Sequence, residues 1–331
     1  MKRFLLILLI LICVAALGFC VFLRVQQRAL EPVETVPAPA ESVPDSSSAV
    51  VGGSAAQPEA AVGSGRQNGE RFETVIILEG MEETVRYEHV RNDALGFEMD
   101  YDYESFTRSS DTGAERFISV YDNADRPENY LEVRYSPLSA EAAAESIGAI
   151  LSNSYEISRD NAFQLESAGR CIRIDASADV GGQTMPEKLQ MVYIVPASDG
   201  CRVATAHYSI ESAEGFGRRF RYLMDSFTAL PRQGEKRLTD GQALAAIRNY
   251  CALSNPDLAG ILNAGEYPAY WEVSSSDGLS IVVVYRSYTG ALTRYYVNPN
   301  SGKTSVTEFV PGITDQEQRT NETLNAWDYL F

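Results

Sequence analysis

Histidine and lysine are scarce in this chain of 331 residues. Only His89 and His207 could serve as histidine bases or ligands, and only Lys2, Lys188, Lys236 and Lys303 carry an ammonium group. None of the four lysines lies three residues after a serine, which excludes a Ser-x-x-Lys nucleophile. No Gly-x-Ser-x-Gly elbow, His-Glu-x-x-His helix or paired Cys-x-x-Cys occurs either. Positive charge is short overall: 45 acidic residues face 28 basic ones, for a net charge of −17. Such a chain repels the phosphate backbone and forgoes the counterion release that drives most nucleic-acid binding. Nucleic acid and anionic lipid surfaces are therefore excluded as partners. With so few catalytic options, no enzyme activity, cofactor or metal site is expected.

What the chain does have begins at its N-terminus. Phe4 to Leu23 (FLLILLILICVAALGFCVFL) is twenty residues without a charge, about 30 Å as a helix and enough to cross a bilayer core. Lys2 and Arg3 precede it, which favours a three-residue cytoplasmic tail and an exported remainder. Arg24 and Arg28 on the far side weigh the other way. Two rival readings are cleavage by signal peptidase, which would release a secreted protein, and lipidation at Cys20. The small residues Ala38 and Ala40 lie too far beyond the run for a normal cleavage site, and Phe19 stands where a lipobox needs a small residue. A single-pass anchor over residues 4–23 is the expectation.

Three cysteines follow the run: Cys171, Cys201 and Cys251. An odd number cannot form only internal pairs. The strand-like segments around Cys171 and Cys201 have a third, residues 188–196, between them. In a meander the two thiols then stand nearly 10 Å apart, beyond disulfide reach, and buried free thiols are expected.

Residues 24–70 form a Pro/Ala/Ser-rich tract with no periodicity and little to bury, read as a disordered tether. A first folded unit is placed at residues 71–231. ETVIILEGMEETVRYEHV gives two strand-like runs around a turn, and LGFEMDYD, FISVYDN and NYLEVRYSP continue in the same mode. Ser139 then caps a helix with Ala143, Ile147, Ile150 and Leu151 on one face. RCIRIDASA, EKLQMVYIV and CRVATAHYS follow as strands, and a closing helix carries the stripe Phe216, Phe220, Leu223, Met224 and Phe227. The layout is an antiparallel sheet with helices packed on it. Its GFEMDYDYESF segment, SAEAAAESI helix and GRRFRYLMDSF helix resemble the PsbP-like α/β sandwich. That resemblance covers about half the chain and implies a binding or assembly module.

A second unit is placed at residues 238–331. Thr239 or Asp240 caps a helix with Ala243, Leu244, Ile247, Tyr250 and Cys251 facing a core. AYWEVSS, LSIVVVYRS, ALTRYYV and KTSVTEFV follow as strands. Helix plus meander, ending in YYVNPNSGKT, resembles a PepSY-like module. Some members of that family are thought to restrain secreted peptidases, which implies such a role as an alternative. The tail after Pro311 is expected to form a short helix through Thr314 and Glu317 and then to dock Trp327 and Leu330. The fold class is thus α+β: an N-terminal transmembrane helix, a disordered linker, and two antiparallel-sheet-plus-helix domains.

Several stretches invite a chemical reading. VNPNSGKT closes like a phosphate-binding loop, but Val297 stands where the first glycine is needed, and SVTEFV after it is a strand rather than a helix. Nucleotide binding is excluded in favour of a hairpin. Asp100, Asp102 and Glu104 fall on one strand face and could meet a cation or partner; a calcium loop needs a central glycine that is missing, and a solvated face explains them better. Asp122, Asp125 and Glu128 read as a solvated loop. His89 is expected to pack or pair on a surface strand, and His207 to be buried or at an edge, too far from Cys201 to form a nucleophilic pair. Arg218, Arg219 and Arg221 are expected to face solvent. Tyr267, Tyr270 and Trp271 would make a recognition patch if exposed, and core packing is the competing account. The functional expectation is a membrane-anchored extracytoplasmic binding protein with a protein or small-ligand partner in the envelope. The alternative is a regulator, inhibitor or chaperone, of an exported peptidase.

Overall fold

The structure, a computed structural model, describes residues 65–78, 80–111, 113–123, 127–179, 188–264, 270–287 and 290–331. The run 4–23, the tract to residue 64 and Tyr267 lie outside the described residues, as do the side chains of residues 261–270. Among the described residues no helix is long and apolar enough to cross a membrane.

Among the described residues three antiparallel sheets and four α-helices make up an α+β unit. The first sheet holds β1 (Arg71–Leu78), β2 (Met81–Asn92), β3 (Phe97–Asp102) and the short β11 (Thr228–Ala229), in that order. The second and largest runs β4 (Phe106–Ser110), β5 (Glu115–Ser119), β6 (Tyr130–Ser136), β10 (Gly200–Ser209), β9 (Lys188–Ala197), β8 (Gly169–Asp179), β7 (Tyr155–Leu165). Helix α1 (Ala140–Leu151) connects β6 to β7, and α2 (Ala213–Asp225) connects β10 to β11. Helices α3 (Asp240–Ser254) and α4 (Pro256–Ala264) then lead into a meander of β12 (Tyr270–Ser276), β13 (Ile281–Arg286), β14 (Leu292–Val297), β15 (Lys303–Phe309) and β16 (Gln318–Asn325).

The large sheet is built from strands that bury both faces. In β6, Leu131, Val133 and Tyr135 are buried in a core shared with the first sheet and α2. The alternate residues Tyr130, Glu132 and Arg134 point to the opposite face, as the period-two geometry of a strand requires. That opposite face is apolar toward β8, where Ile172, Ile174, Val192, Ile194 and Val203 meet α1. Helix α1 forms there because the Ser139 hydroxyl accepts from the Ala142 N–H, and Ala140, Ala143, Ala144, Ile147 and Leu151 make one buried stripe.

Helix α3 has two working faces. Thr239 and Gln242 close a capping box at its start. Ala243, Ala246, Ile247 and Cys251 then join the core with Val283 and Tyr295 of the third sheet. Ala245, Arg248, Asn249 and Ala252, spaced by three and four, lie on a different side. Leu253 of the same helix packs with the α1 cluster.

Arg202 is a buried tie between sheets, with no exposed surface. It donates to the Gly96 carbonyl (2.7 Å), to Asp199 (2.8 Å) and to the Leu230 carbonyl, and lies over the Tyr135 ring. Gly96 sits at φ 73°, and a Cβ there would run into the Arg202 guanidinium.

Several expectations need correction. The tail forms no helix through Thr314 and Glu317; β16 extends the third sheet instead, and Trp327 and Leu330 are buried after it. YEISRDNAFQL is the edge strand β7, and α4 follows α3 after a single-residue break at Asn255. The three cysteines are free and buried. Ile172 and Val203 both lie opposite Ile194, so Cys171 and Cys201, one and two residues away from them, point to opposite faces. Direction as well as spacing keeps those two thiols apart.

Candidate functional site

Because β6 pairs with β10 rather than with its sequence neighbour β7, residues distant in sequence line up across the large sheet. One row runs Ile118, Tyr130, His207, Gln190. The next runs Arg116, Glu132, Thr205, Val192, and a third runs Arg134, Val203, Ile194. The second and third rows begin with charged side chains and end in aliphatic ones, while the first places Tyr130, His207 and Gln190 side by side. Helix α1 covers the aliphatic end. Over the polar end stands α3, leaving a cleft of about 310 Å³ lined by these residues with Ile147, Ile150, Ala245, Arg248, Asn249 and Phe331. That volume is at the lower end of the range for small-molecule sites.

Glu132 organises the floor. One of its oxygens accepts from Arg116 Nε (2.6 Å) and the other from Arg134 Nε (2.5 Å). Burial alone would raise the Glu132 pKa, but Arg134 and then Arg116 outweigh it and hold the carboxyl down to about 2. Beside it the His207 ring stacks on Tyr130, centroids 4.4 Å apart and planes 17° from parallel. Burial lowers the His207 pKa to about 4; the attraction of Glu132 is offset by Arg116, Arg134 and Lys188. Burial also raises the Tyr130 hydroxyl to about 12. At neutral pH the floor is an ionised Glu132 between two guanidinium groups, with a neutral histidine and a neutral tyrosine alongside.

The α3 wall differs. Asn249 donates to the carbonyls of Tyr329 and Phe331 and so fixes the end of the chain against the helix. Arg248 makes no ion pair among the described residues. Its guanidinium lies 5.9 Å from the centre of the Trp271 ring, which itself meets the Tyr285 ring at a 30° tilt. Desolvation, followed by the like charge of Arg134, lowers the Arg248 pKa, although the residue as a whole is exposed to solvent. The lining thus sets three arginines, Arg116, Arg134 and Arg248, against one acidic side chain, Glu132.

The residues singled out in the sequence fall elsewhere. Asp100 is held 2.7 Å from His89 Nδ1 and 2.9 Å from Arg66. Asp102 is buried, 3.0 Å from Arg219, and accepts the backbone N–H groups of Glu104 and Ser105. Glu104 lies past the end of β3 and pairs with Arg86 at 2.7 Å. The solvated strand face is therefore corrected for Asp100 and Asp102, which join the buried Glu98 and His89 in a paired layer, while Glu104 is exposed. His89 is not a surface residue, and Arg219 bridges Asp102 and Glu83 rather than facing solvent. Arg221 pairs with Asp225, while Arg218 is exposed. Asp122 accepts from the backbone of Glu128 and Asn129 and so shapes its loop; Asp125 lies outside the described residues. Tyr267 is likewise outside them, Tyr270 contributes its backbone to β12, and Trp271 is half-buried. Among the described residues no three His, Cys, Asp or Glu side chains form a metal-ligand set.

VNPNSGKT closes a hairpin between β14 and β15. Asn298 Oδ1 accepts from the backbone of Asn300 and Ser301, and Gly302 N–H donates to the Asn298 carbonyl. Gly302, at φ 72°, is pressed against Asn325 and Trp327, so glycine is required there by close packing and backbone conformation.

No protein-family model and no curated protein matches the chain. Among solved structures, one from Bacteroides thetaiotaomicron aligns over 72% of this chain and 89% of its own, with 10% identity and a TM-score of 0.29.

Proposed function

We propose that this protein is a membrane-tethered extracytoplasmic binding protein of the cell envelope, and that its ligand sits in the cleft between the large sheet and α3. The observation that carries the reading is Arg248, a cation without a carboxylate partner among the described residues, facing the Glu132-braced pair Arg116 and Arg134 across that cleft. The titratable groups there favour holding a ligand over proton transfer. Glu132 near 2, His207 near 4 and Tyr130 near 12 leave none of these three poised around pH 7, where a general acid or base works best. The tether, the apolar anchor at residues 4–23, and the PsbP-like resemblance of residues 71–231 support a binding or assembly role outside the membrane.

The test uses the full chain in detergent or nanodiscs. Native mass spectrometry of the purified protein is expected to show a co-purifying small molecule that is lost in Ala245→Phe or Thr205→Phe, each of which fills the cleft from one wall. Retention of the same molecule by both folded variants removes the cleft from consideration. Protease added to sealed spheroplasts is expected to digest the folded unit; protection of that unit would place it inside and defeat the localisation.

A second reading rests on the C-terminal arrangement. Helix α3, then α4 and the antiparallel meander β12–β15, follow the helix-then-meander order on which the PepSY-like resemblance was drawn. Under that reading the protein restrains or assists an exported peptidase. Full-length protein added to exported peptidases of the same cell should then change their rates at stoichiometric amounts, and no effect on any of them discards it.

A further inference from the structure

The two ends of the cleft differ in what they offer. At the β5–β6 end and on α3 stand Arg116, Arg134 and Arg248; toward α1 the lining is Ile147, Ile150, Val192 and Val203, with Phe331 beside them. Both oxygens of Glu132 are already taken by Arg116 and Arg134, so the floor has little acceptor capacity left for a cationic ligand. Arg248 has no such partner among the described residues. Its planar fork is suited to a carboxylate or phosphate oxygen pair. Against a chain of net charge −17, a local excess of guanidinium is the opposite of what the whole molecule's charge would place there.

Resting on the reading of the cleft as the binding site, we infer that the ligand is a small organic acid: an oxyanion held by Arg248 with Arg134, and a compact apolar body lying on Ile147, Ile150 and Val203. A cleft of about 310 Å³ suits a body of one ring or a short branch. Gln190, Thr205 and Asn249 line the same cleft and supply hydrogen-bonding groups for a polar substituent.

The test is calorimetric titration of the full chain in nanodiscs with benzoate, hexanoate, benzylphosphonate, inorganic phosphate and the neutral amides benzamide and hexanamide. Either carboxylate or the phosphonate is expected to bind at least 10-fold more tightly than the matching amide or inorganic phosphate, because only the organic acids satisfy both ends of the cleft. Preference for carboxylate over phosphonate, or the reverse, separates the two possible sources of the oxyanion. Arg248→Ala should weaken the acids by about 10-fold or more and leave the amides unchanged. Arg248→Lys, which keeps the charge and loses the fork, should fall between. Melting temperatures of both variants check that they fold, and Arg248, being on the open flank of α3, is replaceable without emptying the core. Amides that bind as well as acids, or acids indifferent to Arg248→Ala, overturn the inference. If the acids fail while a co-purifying molecule is still lost in Ala245→Phe and Thr205→Phe, the ligand class is wrong and the cleft reading stands. Acids that bind equally well to both cleft-filled variants defeat the two together.

Discussion

Replacing His207 by phenylalanine should remove a specific arm of the protein's acid sensitivity. The imidazole is stacked on Tyr130 and faces Glu132, Arg116, Arg134 and Lys188, and its pKa is held at about 4. An unfolded histidine titrates near 6.5, so the unfolded chain takes up a proton first as the pH falls. The folded pKa being the lower one, stability is whole above about pH 6.5 and is lost progressively as pH drops toward 4. Taking the two values as they stand, the loss is about 2 kcal/mol between pH 7.5 and pH 5, approaching about 3 kcal/mol at lower pH. Glu132, whose folded pKa is about 2 against an ordinary 4.5, adds its own loss only below about pH 4.5. The two windows are therefore separable. Urea denaturation at pH 7.5, 6.5, 5.5 and 5.0 should give His207→Phe a flatter profile than the wild type by about 2 kcal/mol at pH 5. Phenylalanine keeps the aromatic stack, which makes the comparison one of charge rather than packing. Parallel profiles for the two proteins would refute the argument, because they would mean that His207 protonates as readily folded as unfolded.

Glu132→Gln should lower stability by about 2 kcal/mol at neutral pH, read by urea denaturation, since Arg134 loses its carboxylate and Arg116 keeps only the longer contact to Asp111. Arg202→Met should cost about 3–5 kcal/mol, because the Leu230 carbonyl loses its guanidinium donor, the Gly96 carbonyl keeps only the Leu230 N–H, and Asp199 loses its ion pair; Arg202→Lys should not restore it, lacking the fork that reaches both carbonyls. Gly302→Ala should cost about 2–4 kcal/mol from a left-handed backbone and a collision with Trp327, seen as a lower melting temperature. Burial pushes the Cys171 thiol up to about 11 and the Cys201 thiol up to about 12, so a maleimide should label neither until denaturant is added.

Local pattern made most of the elements legible. The Ser139 and Thr239 caps, the strand alternation in residues 130–136, and the turn residues Asn298 to Gly302 all act within a few positions, and the structure has a cap or turn at each. The failures share a different cause. YEISRDNAFQL is polar at most positions, yet it pairs with β8 along one edge while its outer side faces water, so neither alternation nor apolarity announces it. QRTNETLN became β16 for the same reason, added to an existing edge by backbone hydrogen bonds rather than by side-chain burial. The acidic alternation at Asp100 and Asp102 reads as solvent-facing until Arg219 on α2 and His89 on β2 are placed over and beside it. The cleft was the least legible of all. Arg116, Glu132, Arg134 and His207 occupy the polar positions of three separate strands, and nothing local says that β6 and β10 are neighbours. A hint was present in α3: alanine at 245 and 252 flanking Arg248 and Asn249 gives the helix a second face of small residues, as a helix packed on two sides needs.

The shortage of lysine takes on a structural meaning once these contacts are seen. Arginine supplies nearly all the positive charge, and on the sheets it works as a fixed fork. Arg86 joins Glu73 and Glu104, Arg116 and Arg134 share Glu132, Arg173 takes Asp175, and Arg219 spans Glu83 and Asp102. Planar guanidinium groups hold such cross-strand geometry with less lost freedom per hydrogen bond than a flexible ammonium would. Against that background an arginine without a carboxylate needs a reason. Among the described residues Arg170, Arg218, Arg232, Arg237 and Arg319 also lack one: Arg170, Arg232 and Arg237 donate to backbone carbonyls, and Arg218 and Arg319 are exposed, as Arg248 is. Arg248 instead shares its cleft with Ile147, Ile150, Val203 and Phe331 and with two arginines already satisfied by Glu132. The Arg248 fork lies open beside an apolar wall and two arginines already joined to Glu132, which is the arrangement that an incoming organic acid would complete.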